Sequence, residues 1–261
     1  MTNEEYSKRI TNFMKEYCEI IHNGLEERWS KIPLELYDSE VYEVLGGLLA
    51  RQTTLSTQLA ENSNIWNPHI APIILRSMID AHITFAWILL DDFEKKAKQY
   101  ILYGLGQEKK LVEHFKNEAT DNPDLKDMIE FKEKWIEGQR YPFLTEVNLG
   151  SWSGTNTRQM ARDIDCESLY KFSFEPFSAV AHNMWQHIEM FNLKKCTNPL
   201  HKYHRVPTIS ELPLSEDYVY RSSKYLNMSF VAFDKKFNLN IDTPMPKEWY
   251  MKNIEEIFSD E

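Results

Sequence analysis

Two pairs of polar residues, each spaced four apart, lie inside strongly apolar stretches of the sequence. Arg76 precedes Asp80 in one stretch, and Ser178 precedes His182 in the other. Residues four apart share one face of an α-helix, so the members of each pair can act together. An arginine held by a carboxylate can bind an oxyanion, and a histidine beside a hydroxyl can move a proton near neutral pH. The two pairs therefore predict a site that binds an anion and carries out acid–base chemistry.

His82 lies on the same predicted helix as Arg76 and Asp80. Helix geometry places it about 120° around the axis from Arg76. If the two helices pack together, their polar residues form one composite pocket. The predicted catalytic residues are Arg76, Asp80, His82, Ser178 and His182.

A structural role is the competing interpretation of the same residues. An arginine and an aspartate among apolar side chains must be paired, or their burial costs several kcal/mol. An Arg76–Asp80 ion pair would then fix the register of the bundle, and Ser178 would form an ordinary core hydrogen bond with His182. Both interpretations remain open at the level of the sequence.

Several established catalytic and metal-binding motifs are absent from the sequence. It has no G-x-S-x-G elbow of a serine hydrolase, no HExxH zinc motif and no paired ExxH motifs of a di-iron bundle. Cys196, His201 and His204 are ligand-type residues, but a fourth zinc ligand is not evident near them. We expect an exposed loop there, and we predict neither a metal nor a cofactor.

The composition favours helices as the elements that position these residues. Only 8 of the 261 residues are glycine, and strand patterns are nearly absent. Apolar residues at three- and four-residue steps predict an all-α fold, a single helical bundle of about seven to nine helices with a charged helical extension. The predicted helices cover residues 3–30, about 39–61, from near Pro72 to 90, 93–117, a charged one that ends near 137, 157–163 after an Asn156 cap, 168–193 with a kink near Pro176, 215–237, and a short terminal one.

We predict one domain over residues 1–261, with its core at about 38–240. Residues 118–140 are expected to form a charged helical arm, and residues 241–261 a C-terminal tail helix. Residues 141–155 are expected to be irregular and residues 197–213 to form a loop. In a binding module, the aromatic segment 141–152 would be the surface for a ligand or partner.

Charge, cysteine content and hydropathy bear on partners and location. The formal net charge of −10 argues against broad DNA binding, which depends on Lys and Arg neutralising phosphates. The odd number of scattered cysteines fits the reduced thiols of a cytosol.

Residues 70–90 are long and apolar enough to span a bilayer, but a central Arg or Asp costs about 2.5–3.5 kcal/mol on insertion scales. We therefore predict a cytoplasmic protein without a membrane partner, in which residues 70–90 form a buried core helix.

Several of these motifs together resemble an uncharacterised bacterial family, domain of unknown function 5677. They are residues 75–100 (LRSMIDAHITFAWILLDDFEKKAKQY), Trp152-Ser153 with residues 158–163, and residues 170–182 (YKFSFEPFSAVAH). The resemblance covers roughly residues 40–193. It implies an arginine and an acidic residue on an early helix, paired with a serine and a histidine on a late one. Arg76, Asp80, Ser178 and His182 match those positions.

The arginine and histidine at positions 76 and 82, with five residues between them, are similar to the signature of HEPN-type ribonucleases. In those enzymes the two residues lie on a helix that faces its copy in a dimer. The similarity implies cleavage of RNA without a metal. The histidine would assist the 2′-hydroxyl, and the arginine would stabilise the charge of the phosphate.

The resemblances lead to one expected function and one alternative. The family is similar to helical domains found near bacterial defence genes, although the resemblance supplies no established reaction. We expect a HEPN-like, metal-independent effector of antiphage defence that cleaves RNA or handles another phosphate-bearing ligand, with a homodimer or a partner protein as its assembly. The alternative is a noncatalytic helical module that binds a ligand or partner, or a subunit of a larger defence complex.

Overall fold

The computed structural model describes residues 2–32, 39–118, 123–139 and 150–258. It is predominantly helical, which confirms the all-α prediction, and the number of helices is close to the predicted seven to nine. The helices are α1 (Asn3–Ser30), α2 (Ser39–Glu61), α3 (Ala71–Leu90), α4 (Phe93–Glu118), α5 (Pro123–Glu137), α6 (Thr157–Asp163), α7 (Glu167–Leu169), α8 (Glu175–Ala181), α9 (Trp185–Asn192), α10 (Asp217–Phe237) and α11 (Pro246–Phe258). A 3₁₀ turn (Ser63–Ile65) precedes α3, a π-helical turn (Tyr170–Phe174) joins α7 to α8, and β1 (Leu193–Lys195) pairs with β2 (Arg205–Pro207) in an antiparallel hairpin.

Helix α3 lies at the centre of the bundle. It packs against α2, α8 and α10, while α1 packs on α2, and α11 packs on α1 and α10. Leu75, Ile79 and Ile83 of α3 are completely buried, as are Leu49 of α2 and Phe230 of α10. Because apolar residues surround most of α3, any polar side chain on it must lie at the edge of a contact or find a partner inside the core.

By length and composition alone, α3 could cross a membrane, and it is the one such helix in the part of the chain that the structure describes. About half of its apolar window is buried inside the structure. Its contacts with α2 and α10 agree with the expected core helix. The cytoplasmic location stays a prediction.

Two helix starts follow directly from the local sequence. Thr2 and Glu5 form a capping box at α1, in which the Glu5 N–H donates to Thr2 Oγ1 (3.2 Å) and the Thr2 N–H donates to Glu5 Oε2 (2.7 Å). The Asn156 side chain accepts a hydrogen bond of 2.9 Å from the Gln159 N–H, which confirms the predicted cap of α6. Each cap satisfies backbone donors that the first turn of a helix leaves without a partner.

The prediction of one helix over residues 168–193 is wrong. The chain forms α7, the π-helical turn, α8 and α9, with a break at residues 182–184. Asn183 has a left-handed backbone (φ 52°), a conformation that asparagine adopts more readily than most residues. Pro176 lies in the first turn of α8, where a missing N–H costs little. The break leaves His182 at the end of a short helix and not in the middle of a long one.

The predicted loop over residues 197–213 also differs, because it contains β2. Leu193 pairs with Pro207, and Lys195 pairs with Arg205, in the antiparallel register. Two strands of three residues are too short to give an alternating pattern in the sequence. The hairpin fixes both ends of the segment 196–204, which otherwise forms the predicted loop.

The predicted charged arm corresponds to α5 and its contacts with α4. Lys116 of α4 lies 2.9 Å from Glu133, and Lys132 of α5 lies 2.5 Å from Glu108. Ile136 is buried between the two helices, so a narrow apolar contact accompanies the ion pairs. Residues 119–122 of this arm and residues 140–149, which include most of the expected irregular segment, lie outside the described residues.

The adjacent glycines of α2 differ in their surroundings, and the difference gives a stability test. A Cβ at Gly46 would lie 2.6 Å from the Trp29 ring of α1, whereas a Cβ at Gly47 would meet no atom within 4 Å. We expect Gly47→Ala to raise the free energy of unfolding by about 0.5–1 kcal/mol, since alanine favours a helix interior. Gly46→Ala should lower it by about 1 kcal/mol or more, because Trp29 must move. Urea denaturation measures both, and equal stabilities would contradict the close α1–α2 contact.

Candidate functional site

Arg76 of α3 and Ser178 of α8 are in direct contact. The Arg76 Nε donates a hydrogen bond of 2.9 Å to Ser178 Oγ, which in turn donates one of 2.7 Å to the Phe174 carbonyl. The Arg76 guanidinium carbon lies 4.7 Å from the centroid of the Phe174 ring, a cation–π contact. The guanidinium is thus held on one edge by a hydroxyl and on one face by an aromatic ring.

The two Nη groups of the Arg76 guanidinium take no part in the hydrogen bond to Ser178. A guanidinium has five N–H groups, and the hydrogen bond to Ser178 uses only the one on Nε. Within the described ranges, neither Nη atom of Arg76 has a hydrogen bond or an ion pair, and the side chain is only half-buried. Two Nη groups in a fixed plane are suited to bind two oxygens of a phosphate or carboxylate.

Asp80 does not form the direct ion pair with Arg76 that a purely structural interpretation requires. No contact within 4.0 Å joins their charged atoms, although the charge of Arg76 still acts on the carboxyl group. Burial raises the pKa of Asp80, and the positive charge of Arg76 opposes that rise. Burial likewise raises the pKa of Tyr100, and the nearby charge of Asp80 adds to the rise. Asp80 of α3 therefore lies on the side of the helix that faces α4. It is close enough to Arg76 for the two charges to interact, but it does not pair with the N–H groups of the guanidinium.

His182 is exposed and caps the C-terminus of α8. Its backbone N–H donates a hydrogen bond of 3.0 Å to the Ser178 carbonyl, so the two residues keep a helical separation of one turn. The predicted hydrogen bond between their side chains is not present, because the Ser178 hydroxyl contacts Arg76 and the Phe174 carbonyl instead. His182 therefore lies one helical turn from Ser178, which contacts Arg76, and its side chain is open to solvent.

His82 does not join the other four predicted residues, and this part of the composite pocket is wrong. Its side chain is 4% exposed, and its Nδ1 is 2.9 Å from Ser229 Oγ of α10. Gln52 of α2 donates to the same hydroxyl (3.3 Å) and to the Met78 carbonyl (2.7 Å). The reason is helix geometry, since a residue about 120° around from Arg76 meets α10 and not α8. His82 links three core helices.

The burial of His82 gives a test by pH. Burial lowers its pKa from 6.5 to about 4, so between these values the unfolded chain binds a proton that the folded chain does not. The stabilisation is complete above pH 6.5 and declines as the pH falls toward 4, by on the order of 3 kcal/mol in total. We expect urea denaturation to show a steeper acid decline for the wild type than for His82→Asn. Parallel curves over this range would contradict the assignment, since all other titrating groups are shared.

Basic side chains are gathered next to this site, although the whole chain is acidic. Arg158, Arg162 and Lys171 all lie within 3.3 Å of the single carboxylate of Glu167. Hydrogen bonds from Arg162 and Lys171 lower the pKa of Glu167 to about 2. Lys171 belongs to the same π-helical turn as Phe174, which contacts Arg76. These three cations lie on α6 and on the π-helical turn, which both pack against α3, and Glu167 neutralises one of the three charges.

One polar contact that the sequence did not indicate joins α9 to the turn before α3. His69 Nδ1 and His187 Nε2 are 3.1 Å apart, and the two rings meet edge to face. Burial lowers the pKa of His187, and the neighbouring His69 lowers it further. The two residues are 118 positions apart, so no spacing rule could have paired them.

The three ligand-type residues of the hairpin loop also come together. The ligand atoms of Cys196, His201 and His204 lie within 4.8 Å of one another, and this is the one cluster of its kind among the residues that the structure describes. The sequence indicated an exposed loop, and the two histidines are indeed exposed. These are the residues that could hold a metal ion.

Comparisons with known proteins agree with one of the two resemblances. Residues 42–199 match the Family of unknown function (DUF5677), and the match includes Arg76, Asp80, Ser178 and His182. A comparison with curated proteins found no match. A comparison with solved structures found none either. The similarity to HEPN ribonucleases stays a prediction. Because the matched segment spans more than half of the 261 residues, the chain belongs to the family DUF5677.

Proposed function

We propose that this chain binds phosphate groups of RNA at Arg76 and cleaves the RNA without a metal ion. The observation that supports the proposal is that the Arg76 guanidinium is held in place while its Nη donors stay available. Ser178 and Phe174 hold it, Asp80 does not occupy it, and its Nη groups have no partner among the described residues. Donors that are fixed before the substrate arrives stabilise developing charge without further reorganisation.

His182 is the acid–base group of the proposed reaction. Its ring nitrogen accepts the proton of a 2′-hydroxyl, the O2′ forms a bond to the adjacent phosphorus, and the bond from phosphorus to the 5′-oxygen breaks. The leaving oxygen takes a proton from water, so the products carry a 2′,3′-cyclic phosphate and a 5′-hydroxyl. Arg76 stabilises the negative charge on the two non-bridging oxygens during this step.

The proposal differs from the HEPN arrangement in the histidine that it uses. A general base must reach its substrate, and His82 is enclosed by α2, α3 and α10. His182 is exposed and one helical turn from Ser178, which contacts Arg76 directly. Asp80 and Ser178 are positioning residues in this scheme, since they act through the guanidinium.

The biological setting of the proposal is antiphage defence in bacteria. It rests on the resemblance of this family to helical domains found near defence genes. The basic side chains of Arg158, Arg162 and Lys171 support RNA as the ligand, since they lie on elements that pack against the helix of Arg76 in a chain with a net charge of −10. In this proposal a homodimer or a partner protein would add further contacts along the RNA.

Cleavage of a mixed RNA pool by the purified chain in EDTA tests the proposal. We expect the wild type to release fragments with 2′,3′-cyclic phosphate ends. His182→Ala should slow cleavage by about 10²–10⁴-fold, the usual contribution of a general base. The matched control is His114→Ala, which removes an exposed histidine of α4 and should leave the rate unchanged. Absence of cleavage by the wild type, or an unchanged rate for His182→Ala, would contradict the proposal.

Exposed apolar side chains favour one alternative, a noncatalytic module that binds a protein partner. Phe172, in the π-helical turn before α8, is 79% exposed, and Trp185 and Met190, both on α9, are 63% and 71% exposed. Large apolar side chains that are exposed at a surface can mark a binding interface. The same polar residues would then serve only to hold α3 against α8.

The two functions give different results for the same variant. In the partner-binding alternative, Trp185→Ser would abolish association with the partner or with a second copy, and RNA cleavage would be absent throughout. In the proposed nuclease, Trp185→Ser would retain metal-independent cleavage at a similar order of rate. Analytical ultracentrifugation over a range of concentrations, run beside the cleavage assay, separates the two outcomes.

A further inference from the structure

The loop between β1 and β2 brings three metal-ligand side chains together, well outside the Arg76 site. Cys196 directly follows β1, and His201 and His204 precede β2. His201 Nδ1 lies 3.6 Å from Cys196 Sγ, and the centroids of the two imidazole rings are 5.3 Å apart. We propose that this loop binds a divalent transition-metal ion of the zinc class through Cys196 Sγ and one ring nitrogen of each histidine.

The distances suit tetrahedral coordination. Zinc lies about 2.3 Å from a thiolate sulfur and about 2.0–2.1 Å from an imidazole nitrogen, so at tetrahedral angles the sulfur and nitrogen are about 3.5 Å apart. The observed separation of Cys196 Sγ and His201 Nδ1 is 3.6 Å. The third donor lies within 4.8 Å of the others, and rotation of the exposed His204 ring can shorten that distance. The site therefore needs side-chain adjustment but no refolding of the loop.

The backbone of the loop holds the ligands in place. The Cys196 N–H donates to the His204 carbonyl (3.0 Å), and the His204 N–H donates to the His201 carbonyl (3.1 Å). The Asn198 N–H donates to Cys196 Sγ over 3.4 Å, a contact that helps to fix the position of the sulfur. The Asn198 amide nitrogen is also 3.2 Å from His201 Nε2, so it fixes the orientation of that ring.

The ligand set determines which ions the loop can take. One thiolate and two imidazoles favour zinc and chemically similar ions such as cobalt, whereas magnesium and calcium require oxygen ligands. Three protein ligands leave the fourth position to water, as in zinc sites that exchange a ligand. The exposure of His201 and His204 keeps this position open to solvent. The proposed RNA cleavage needs no metal, so a negative result for either proposal would leave the other unaffected.

Metal titration of the full-length chain, reduced and stripped with chelator, tests the site. Calorimetry with zinc should give one ion bound per chain, and cobalt should give the absorption of a tetrahedral ion bound to a thiolate. Cys196→Ser should remove the thiolate absorption and weaken zinc binding by more than about 100-fold, since loss even of groups that only orient a ligand costs about 10–100-fold. His204→Ala should weaken it comparably. Lys202→Ala changes the same loop without removing a ligand and should bind as the wild type does.

Three results would overturn the proposal. The first is no stoichiometric binding of zinc or cobalt by the wild type. The second is a cobalt complex without thiolate absorption, because Cys18 and Cys166 are buried and cannot replace Cys196. The third is equal zinc affinity for Cys196→Ser and the wild type. Circular dichroism of each variant confirms that the fold is kept, so that a loss of binding reports on the ligands themselves.

Discussion

Replacement of Arg28 by alanine is expected to lower the free energy of unfolding by about 3–5 kcal/mol, the range for a buried ion pair that loses one partner. Arg28 of α1 is completely buried. Its Nε and Nη2 donate to the two carboxylate oxygens of Asp234 at 2.8 and 2.7 Å, and its Nη1 donates to the Gly24 carbonyl at 2.8 Å. Its guanidinium also lies 3.9 Å from the centroid of the Phe230 ring. The variant would leave the Asp234 carboxylate in a largely apolar contact between α1 and α10 without its partner.

Two controls distinguish loss of the ion pair from loss of an arginine in general. Arg221→Ala removes an exposed pair with Asp217 on α10 and should change stability much less. The double variant Arg28→Met with Asp234→Leu replaces both charges by apolar groups and should recover much of the loss, because no unpaired charge remains. Urea denaturation provides the free energies. A change below about 1 kcal/mol for Arg28→Ala would mean that the pair does not hold α1 against α10.

Replacement of Arg76 by alanine is expected to slow RNA cleavage by about 10²–10³-fold, the usual cost of losing one fixed donor to a developing oxyanion. The loss of stability should be small, since Arg76 is half-buried and Ser178 keeps its hydrogen bond to the Phe174 carbonyl. Arg76→Lys should restore little activity, because an ammonium group cannot present two coplanar donors. Single-turnover kinetics in EDTA and a thermal melt of each variant provide the two readouts.

Ser178→Ala supplies a matched control for that substitution. It removes the hydroxyl that accepts from Arg76 Nε but keeps the guanidinium and its contact with Phe174. A positioning role predicts a loss smaller than that of Arg76→Ala. Equal cleavage by the wild type and Arg76→Ala would exclude the guanidinium from the reaction.

The sequence predicted the long helices well because their signals are local. The predicted start of α6 at the Asn156 cap, for example, depends on two residues that are three apart. The apolar character of α3 likewise indicated its central place. The break at Asn183 was missed, because a single left-handed residue leaves no periodic signal and the proline at 176 was the more evident interruption.

The candidate site was predictable in its residue types and only in part in its contacts. Arg76 and Ser178 were both identified, but their hydrogen bond spans 102 positions and depends on the packing of α3 against α8. The expected Arg76–Asp80 pair followed from spacing alone, which fixes a shared helix face and not a distance between charged atoms. The same geometry that set His82 apart from Arg76 on the helix carried it into the core beside Ser229.

The most direct test of the phosphate site is the affinity for RNA that cannot be cleaved. A single-stranded RNA with methylated 2′-hydroxyls lacks the nucleophile of the proposed step but keeps every phosphate. Fluorescence anisotropy in EDTA at one fixed salt concentration would compare the wild type with Arg76→Ala. We predict at least about tenfold weaker binding for the variant, since hydrogen bonds to a charged group contribute about 1.5–3 kcal/mol. Equal dissociation constants for the two proteins would contradict a phosphate site at Arg76.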